Sequence, residues 1–137
     1  MTPECLRRAL RPVVFMANAR TASEPHPARI WHRWKETICR WLGPSTELML
    51  DLARVSPGHH VLDYAVGDGY AAVKAAARVG PIGRVVAIDL APPFFAFAGE
   101  AVREAGLKQV IARTRAGDAA SLPVDEPLDA VICRFGL

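Results

Sequence analysis

The chain has 137 residues, 51% of them apolar and 23% charged, which is the composition of one globular domain and excludes a disordered chain, a collagen and a coiled coil. No apolar run of eighteen residues exists, so the sequence predicts no membrane-spanning helix. The net charge of +3 arises in residues 1–20, and the balanced remainder disfavours nucleic acid as a partner.

Residues 1–29 are predicted to be a disordered tail or a leader. We expect a cytoplasmic protein. Residues 1–20 contain arginine and little acid, as transit peptides do, so the alternative is a mitochondrial protein. The three cysteines, Cys5, Cys39 and Cys133, are far apart and form no CxxC pair. Their spacing favours a reducing compartment and predicts no metal site.

Residues 30–56 are predicted to form two N-terminal helices. Apolar residues recur along one face of the first helix, and we interpret that face as core packing. Gly43 and Pro44 predict a break between the two helices, and a turn is expected after the second, at Pro57 and Gly58. The face of the first helix consists of Trp31, Trp34, Ile38, Trp41 and Leu42, and the second helix carries Leu48, Met49, Leu52 and Val55.

Residues 57–137 alternate between the patterns of strands and helices. The strands are short and apolar, and the helices are rich in small residues that allow close approach to a sheet. This order predicts an α/β fold in which helices flank a Rossmann-like parallel sheet. The predicted strands are Val61–Ala65, Arg84–Asp89, Val110–Thr114 and Leu128–Cys133, and the helices are Tyr70–Val79 and Pro92–Gly106.

A glycine-containing turn joins the first strand of this alternation to its first helix. Gly67 and Gly69 let the backbone approach a ligand closely, and the helix N-terminus offers unpaired N–H donors. The spacing Gly67-x-Gly69-x-x-Ala72, with Asp89 about twenty residues on, also fits the dinucleotide cofactor of a nicotinamide-dependent reductase. Asp63 instead favours a cationic ligand, because its carboxylate at the strand end would repel a pyrophosphate.

Four segments in a fixed order resemble the class I S-adenosylmethionine-dependent methyltransferases, and the similarity runs from about residue 31 to residue 137. They read V-L-D-Y-A-V-G-D-G, V-V-A-I-D-L, A-G-D-A-A-S-L-P and L-D-A-V-I-C-R-F-G-L. Within the family the chain resembles the methyltransferase type 11 branch, which includes the ubiquinone and menaquinone C-methyltransferases. It departs at Ala65, where many members have the first glycine of the turn.

The resemblance implies a site for S-adenosylmethionine at the carboxyl edge of the sheet. The residues implied are Asp63 at the methionine moiety, Ala65, Gly67 and Gly69 in the turn, Asp89 at the ribose hydroxyls, Leu90, Asp118 and Ala119 at the adenine, and Arg134 at the mouth.

No catalytic residue is assigned, because methyl transfer from a sulfonium is an in-line displacement that depends mainly on positioning and exclusion of water. Three side chains, Tyr64, Asp68 and His32, are available by position only.

We therefore expect a methyltransferase that acts on a small-molecule acceptor. The family's sheet extends beyond four strands, so the resemblance implies that this chain is a truncated, cofactor-binding half whose activity the sequence leaves open. The strand over residues 128–133 would then be an exposed edge. Through that edge the chain could self-associate, or it could complete a sheet with another chain as a non-catalytic partner.

Overall fold

The computed structural model of the chain describes residues 27–108, 110–114 and 126–136. These residues form four helices and four strands in the order that the sequence predicts. The elements are α1 (Pro27–Arg33), α2 (Lys35–Leu52), β1 (His60–Tyr64), α3 (Tyr70–Val79), β2 (Arg84–Asp89), α4 (Pro92–Glu104), β3 (Val110–Thr114) and β4 (Ala130–Cys133).

The four strands form one parallel sheet in the order β3-β2-β1-β4, which confirms the predicted fold class. β1 lies between β2 and β4, so the chain leaves β1 towards one side of the sheet and later returns to the other. Parallel strands end at the same edge, and ligands of such sheets bind where the strand order reverses. The turn after β1 and the ends of β2 and β4 therefore meet at one place.

The core lies between the sheet and the helix that follows β1. α3 turns a row of alanines towards the strands, and their small side chains let the helix backbone lie close to the sheet. Val79 closes the row at the C-terminal end of the helix. The buried core comprises Leu50, Val55, Val61, Val66, Ala71, Ala72, Ala75, Ala76, Val79, Val85, Ala87, Ala98 and Ile132.

The predicted break at Gly43 and Pro44 is wrong, because α2 continues through both residues. Gly43 lies against α3, where a Cβ atom would come within 3.1 Å of the Tyr70 hydroxyl. The Leu42 carbonyl accepts hydrogen bonds from the hydroxyls of Ser45 (2.8 Å) and Thr46 (3.0 Å). Packing and side-chain hydrogen bonds thus override the local preference of a glycine–proline pair. The helical segment is interrupted instead between α1 and α2.

The interpretation of the tryptophan face as core packing is also wrong. Trp34 is 55% exposed and Trp41 is 75% exposed, whereas α2 buries Gly43, Thr46 and Leu50 on its opposite side. Periodicity reveals that a helix has an apolar face, but it does not reveal what lies against that face.

In the part of the chain that the structure describes, no helix has both the length and the hydropathy needed to cross a bilayer. The same residues contain no group of three histidine, cysteine or carboxylate side chains placed to hold a metal ion.

Candidate functional site

The turn between β1 and α3 is built from left-handed backbone conformations. Ala65 has φ +60°, Gly67 has φ +58° and Gly69 has φ +83°. The turn is tied to the end of β2, because the Val66 N–H donates to the Ile88 carbonyl over 2.9 Å. It leads directly into the N-terminus of α3, whose first N–H groups have no partner within the helix.

Ala65 carries strain that a glycine would not. A left-handed conformation costs an alanine about 1–2 kcal/mol. We expect Ala65→Gly to raise the free energy of unfolding by about 1 kcal/mol, measured by urea denaturation. The control is Ala77→Gly on the exposed face of α3, which should lower stability by about 0.5–1 kcal/mol. A loss at both positions would contradict the left-handed conformation of Ala65.

Asp89, at the end of β2, holds the turn in place. Its Oδ2 accepts the Gly67 N–H over 2.8 Å, and its Oδ1 accepts the Ala91 N–H over 2.8 Å. Each carboxylate oxygen can accept more than one hydrogen bond, so acceptor capacity remains on both. Leu90 follows directly and is exposed, which leaves an apolar side chain beside the carboxylate.

Asp63, on the central strand, has no exposed surface, and within the described residues neither of its oxygens accepts a hydrogen bond. Burial raises the pKa of this carboxyl group to about 7. The positive charge of Arg134 opposes that rise, whereas the negative charges of Asp68 and Asp89 add to it. The Ala72 N–H favours the ionised form without reaching hydrogen-bonding geometry. An unpaired buried carboxylate is costly, so this group calls for a positively charged partner.

Arg134, just after β4, joins three elements around the turn. Its guanidinium donates to Thr46 Oγ1 over 3.0 Å and forms an ion pair with Asp68 Oδ1 over 3.4 Å. The guanidinium carbon lies 5.4 Å from the centre of the Tyr70 ring, which is the range of a cation–π interaction. Cys39 lies near this group, and its thiol pKa is raised first by burial and then by the charge of Asp68.

Sequence reasoning did not find Thr46 or Tyr70. Tyr70 directly follows the glycine turn, which is a usable signal. Thr46 lies 88 residues from Arg134 in sequence, so local pattern gives no indication of their contact.

Most of the residues predicted for the cofactor lie at this edge of the sheet. His32, which was available for the reaction by position only, lies elsewhere, because it stacks on Phe97 between α1 and α4, with ring centres 4.1 Å apart. Asp118 and Ala119 lie outside the described residues. The predicted residues at the edge are Asp63, Ala65, Gly67, Gly69, Asp89, Leu90 and Arg134.

A parallel sheet with a left-handed turn and an acidic strand end at its carboxyl edge defines the class of Rossmann-like cofactor-binding proteins. Residues 61–137 match the family model described as a methyltransferase domain. The chain belongs to this family, that of the S-adenosylmethionine-dependent methyltransferases with the class I fold.

Three relatives are similar over part of their length. The chain is 30% identical over 90 residues to a protein-L-isoaspartate O-methyltransferase of Methanopyrus kandleri, covering 65% of this chain and 39% of that protein. It is 37% identical over 81 residues to an arsenite methyltransferase of Halobacterium salinarum, covering 58% and 20%. It is 40% identical over 77 residues to a nocamycin O-methyltransferase of Saccharothrix syringae, covering 56% and 27%. The chain thus spans less than half of each relative.

Two solved structures resemble the fold. A SAM-dependent methyltransferase from Aquifex aeolicus has a TM-score of 0.59 at 25% identity, covering 73% of this chain and 51% of that one. An O-methyltransferase of tomaymycin synthesis from Streptomyces achromogenes, solved with SAM, has a TM-score of 0.55 at 27% identity, covering 66% and 43%. S-adenosylmethionine is the cofactor of the family.

Proposed function

We propose that this chain binds S-adenosylmethionine at the turn of residues 65–69 and orients it for methyl transfer to a small-molecule acceptor. The observation that carries the proposal is the buried, unpaired carboxylate of Asp63 beneath a left-handed turn. Among the described residues, three buried carboxylates (Asp63, Asp68 and Asp89) lie around the turn, and the guanidinium of Arg134 pairs with Asp68 and acts on the charge of Asp63. Such a balance favours a ligand with positive groups and disfavours the two negative charges of a dinucleotide pyrophosphate.

Each residue of the site has a proposed task in holding this cofactor. Asp63 supplies negative charge from below the turn, towards the methionine end of the cofactor. Gly67 leaves room for close approach, because a Cβ atom there would meet only the Ala65 carbonyl oxygen, at 4.0 Å. Asp89 would bind the ribose hydroxyls, and Arg134 would line the mouth of the site. The adenine would contact Leu90, Asp118 and Ala119, and Ala65 and Gly69 complete the turn.

S-adenosylmethionine supplies a methyl group bound to positively charged sulfur. The residues of this chain bind and orient it, and rate enhancement follows from holding donor and acceptor in line. No base is proposed, since the displacement itself requires none.

The acceptor is proposed as a small molecule, by analogy with the arsenite and nocamycin methyltransferases. Membership of the ubiquinone and menaquinone branch and a cytoplasmic location remain predictions. We also propose that residues 57–137 are the cofactor-binding unit and that residues 30–56 form the helices preceding it.

Binding of the demethylated cofactor tests the proposal directly. S-adenosylhomocysteine at about 100 times its dissociation constant should stabilise the chain by roughly 2.7 kcal/mol and raise the melting midpoint by roughly 5–10 °C. Asp89→Asn should weaken the affinity about tenfold or more, because one oxygen able to accept hydrogen bonds is replaced by a donor. Calorimetry of melting and of binding gives both values.

A matched control distinguishes a local effect from a general one. Asp129→Asn makes the same chemical change at the opposite edge of the sheet, where Oδ2 accepts the His60 N–H over 2.7 Å. This variant should retain the full thermal shift. A cooperative melt that S-adenosylhomocysteine does not move would overturn the assignment, and a shift with a nicotinamide dinucleotide would favour the reductase.

A second candidate function is that of an interaction partner. Within the described residues β4 is an edge strand, and Val131 on it is 59% exposed. An apolar edge of this kind favours pairing with another strand. A monomeric mass in solution at all concentrations would argue against self-association.

A further inference from the structure

The outer face of α2 is an apolar stripe without a partner in the described part of the chain. Trp34, Trp41, Leu48 and Leu52 follow at intervals of seven, seven and four residues, which places them on one side of a helix. They are 55%, 75%, 57% and 76% exposed. Over the 18 residues of α2 the stripe extends about 27 Å. Contiguous apolar surface of this kind marks an interaction site.

A groove continues the stripe onto α1. Its volume is about 580 Å³. Its lining includes Ile30, Trp31, Trp34, Ile38 and Trp41.

Unpaired positive charges surround the tryptophan end of the stripe. Arg29, Arg33, Lys35 and Arg40 form no ion pair with any residue in the described ranges, and Glu36 is the one acidic residue among them. At about 100° per residue, Lys35 and Arg40 fall on opposite flanks of the stripe.

At the other end of α2 the two acidic residues, Glu47 and Asp51, are paired with cations of α3. Glu47 pairs with Lys74 over 3.0 Å and with Arg78 over 2.7 Å, and Arg78 also pairs with Asp51. Among the described residues, the cations of α1 and α2 that have no ion-pair partner therefore lie beside the tryptophans.

We propose that the α1–α2 face binds the surface of an anionic lipid bilayer. Tryptophan side chains favour the membrane interface, and arginine or lysine on the flanks can reach lipid headgroups while the apolar stripe enters the acyl boundary. Two copies of this face would bring two sets of like charges together, which opposes self-association there. The opposite face of α2 carries Thr46, the hydrogen-bond partner of Arg134, so the helix that rests on the bilayer also lines the candidate site. The proposal does not depend on the cofactor.

Tryptophan fluorescence reports on this face directly, because the three tryptophans of the chain lie on α1, on α2 and at residue 34 between them. The full chain is titrated with vesicles of phosphatidylglycerol and phosphatidylcholine, and separately with phosphatidylcholine alone. We expect a blue shift and co-sedimentation with the anionic vesicles, and weaker binding at high salt.

Two double variants separate the charged and apolar contributions. Arg33→Gln with Arg40→Gln should weaken binding about 25-fold, at about fivefold for each cation. Trp41→Gln with Leu48→Gln should weaken it about tenfold or more. Both pairs include exposed side chains only, so neither should change the thermal melt by more than a small amount.

The controls remove two positive charges, or one exposed apolar side chain, outside α1 and α2. Arg103→Gln with Lys108→Gln and the single change Ile82→Gln lie on exposed positions outside α1 and α2 and should bind like the parent chain. Absence of binding to anionic vesicles at low salt, equal binding to both vesicle types, or an equal loss in the controls would overturn the proposal. A concentration-dependent blue shift with a doubled mass and no lipid would assign the face to a second copy instead.

Discussion

Replacing Gly69 with alanine is expected to lower the free energy of unfolding by about 3–5 kcal/mol. Two independent costs add at this position. The φ of +83° is unfavourable for an alanine, and the new Cβ atom would come within 2.9 Å of Ala98 Cα and 3.2 Å of its carbonyl oxygen. Those atoms belong to the backbone of α4, so neither can move aside without shifting the helix. Urea denaturation monitored by circular dichroism gives the value.

Two other glycines of the chain separate these costs. Gly67→Ala meets no atom nearer than 4.0 Å but retains φ +58°, so it should lose only about 1–2 kcal/mol. Gly99→Ala lies within α4, has nothing within 4 Å of the new Cβ, and should gain about 0.5–1 kcal/mol. Equal losses at Gly67 and Gly69 would show that the contact with Ala98 contributes nothing.

Replacing Asp63 with asparagine is expected to raise stability increasingly as the pH rises. The pKa of this carboxyl group is about 7 in the folded chain, against a reference value of 3.8. Folding therefore binds a proton here, so the native state is favoured fully below pH 3.8 and loses that advantage as the pH rises through 7. Asparagine has no such titration.

A comparison of two pH values isolates the contribution of the Asp63 titration to stability. Between pH 5 and pH 8 the stability of Asp63→Asn relative to the parent chain should increase by about 2.5 kcal/mol. Urea denaturation at both pH values gives this difference and cancels the cost of burying the amide, which does not depend on pH. The same change at the exposed Asp129 removes a carboxylate that water solvates, and we expect no comparable gain. A pH-independent difference for Asp63→Asn would contradict the burial of an unpaired carboxyl group.

This variant also links stability to the proposed function. A cationic cofactor favours the ionised form of Asp63, so its binding should release a proton near pH 7 and strengthen as the pH rises. Asp63→Asn should bind the cofactor more weakly while unfolding less readily. Opposite changes in stability and affinity are typical of residues kept for function.

The sheet and its cofactor turn could be predicted because their causes are local. Short apolar segments indicate β1 and β2, and Gly80 and Pro81 mark the end of α3 between them. The structure places these three elements within about one residue of the prediction. The turn at Gly67 and Gly69 was equally visible, since left-handed backbone favours glycine in any context. In the sequence, Ala65 stands out only as a departure from a family pattern. Its strain became evident from its φ.

The amino-acid sequence by itself determined the alternation of strands and helices, the glycine turn, and the carboxylates at the strand ends, because each depends on residue type and near neighbours. Only the tertiary structure decided that α2 runs through Pro44, that the tryptophan stripe faces outwards, and that Asp63 is buried without a partner. These outcomes depend on packing between segments distant in sequence, such as the contact of Arg134 with Thr46. A helical pattern identifies an apolar face, and only the neighbouring elements determine whether that face is covered.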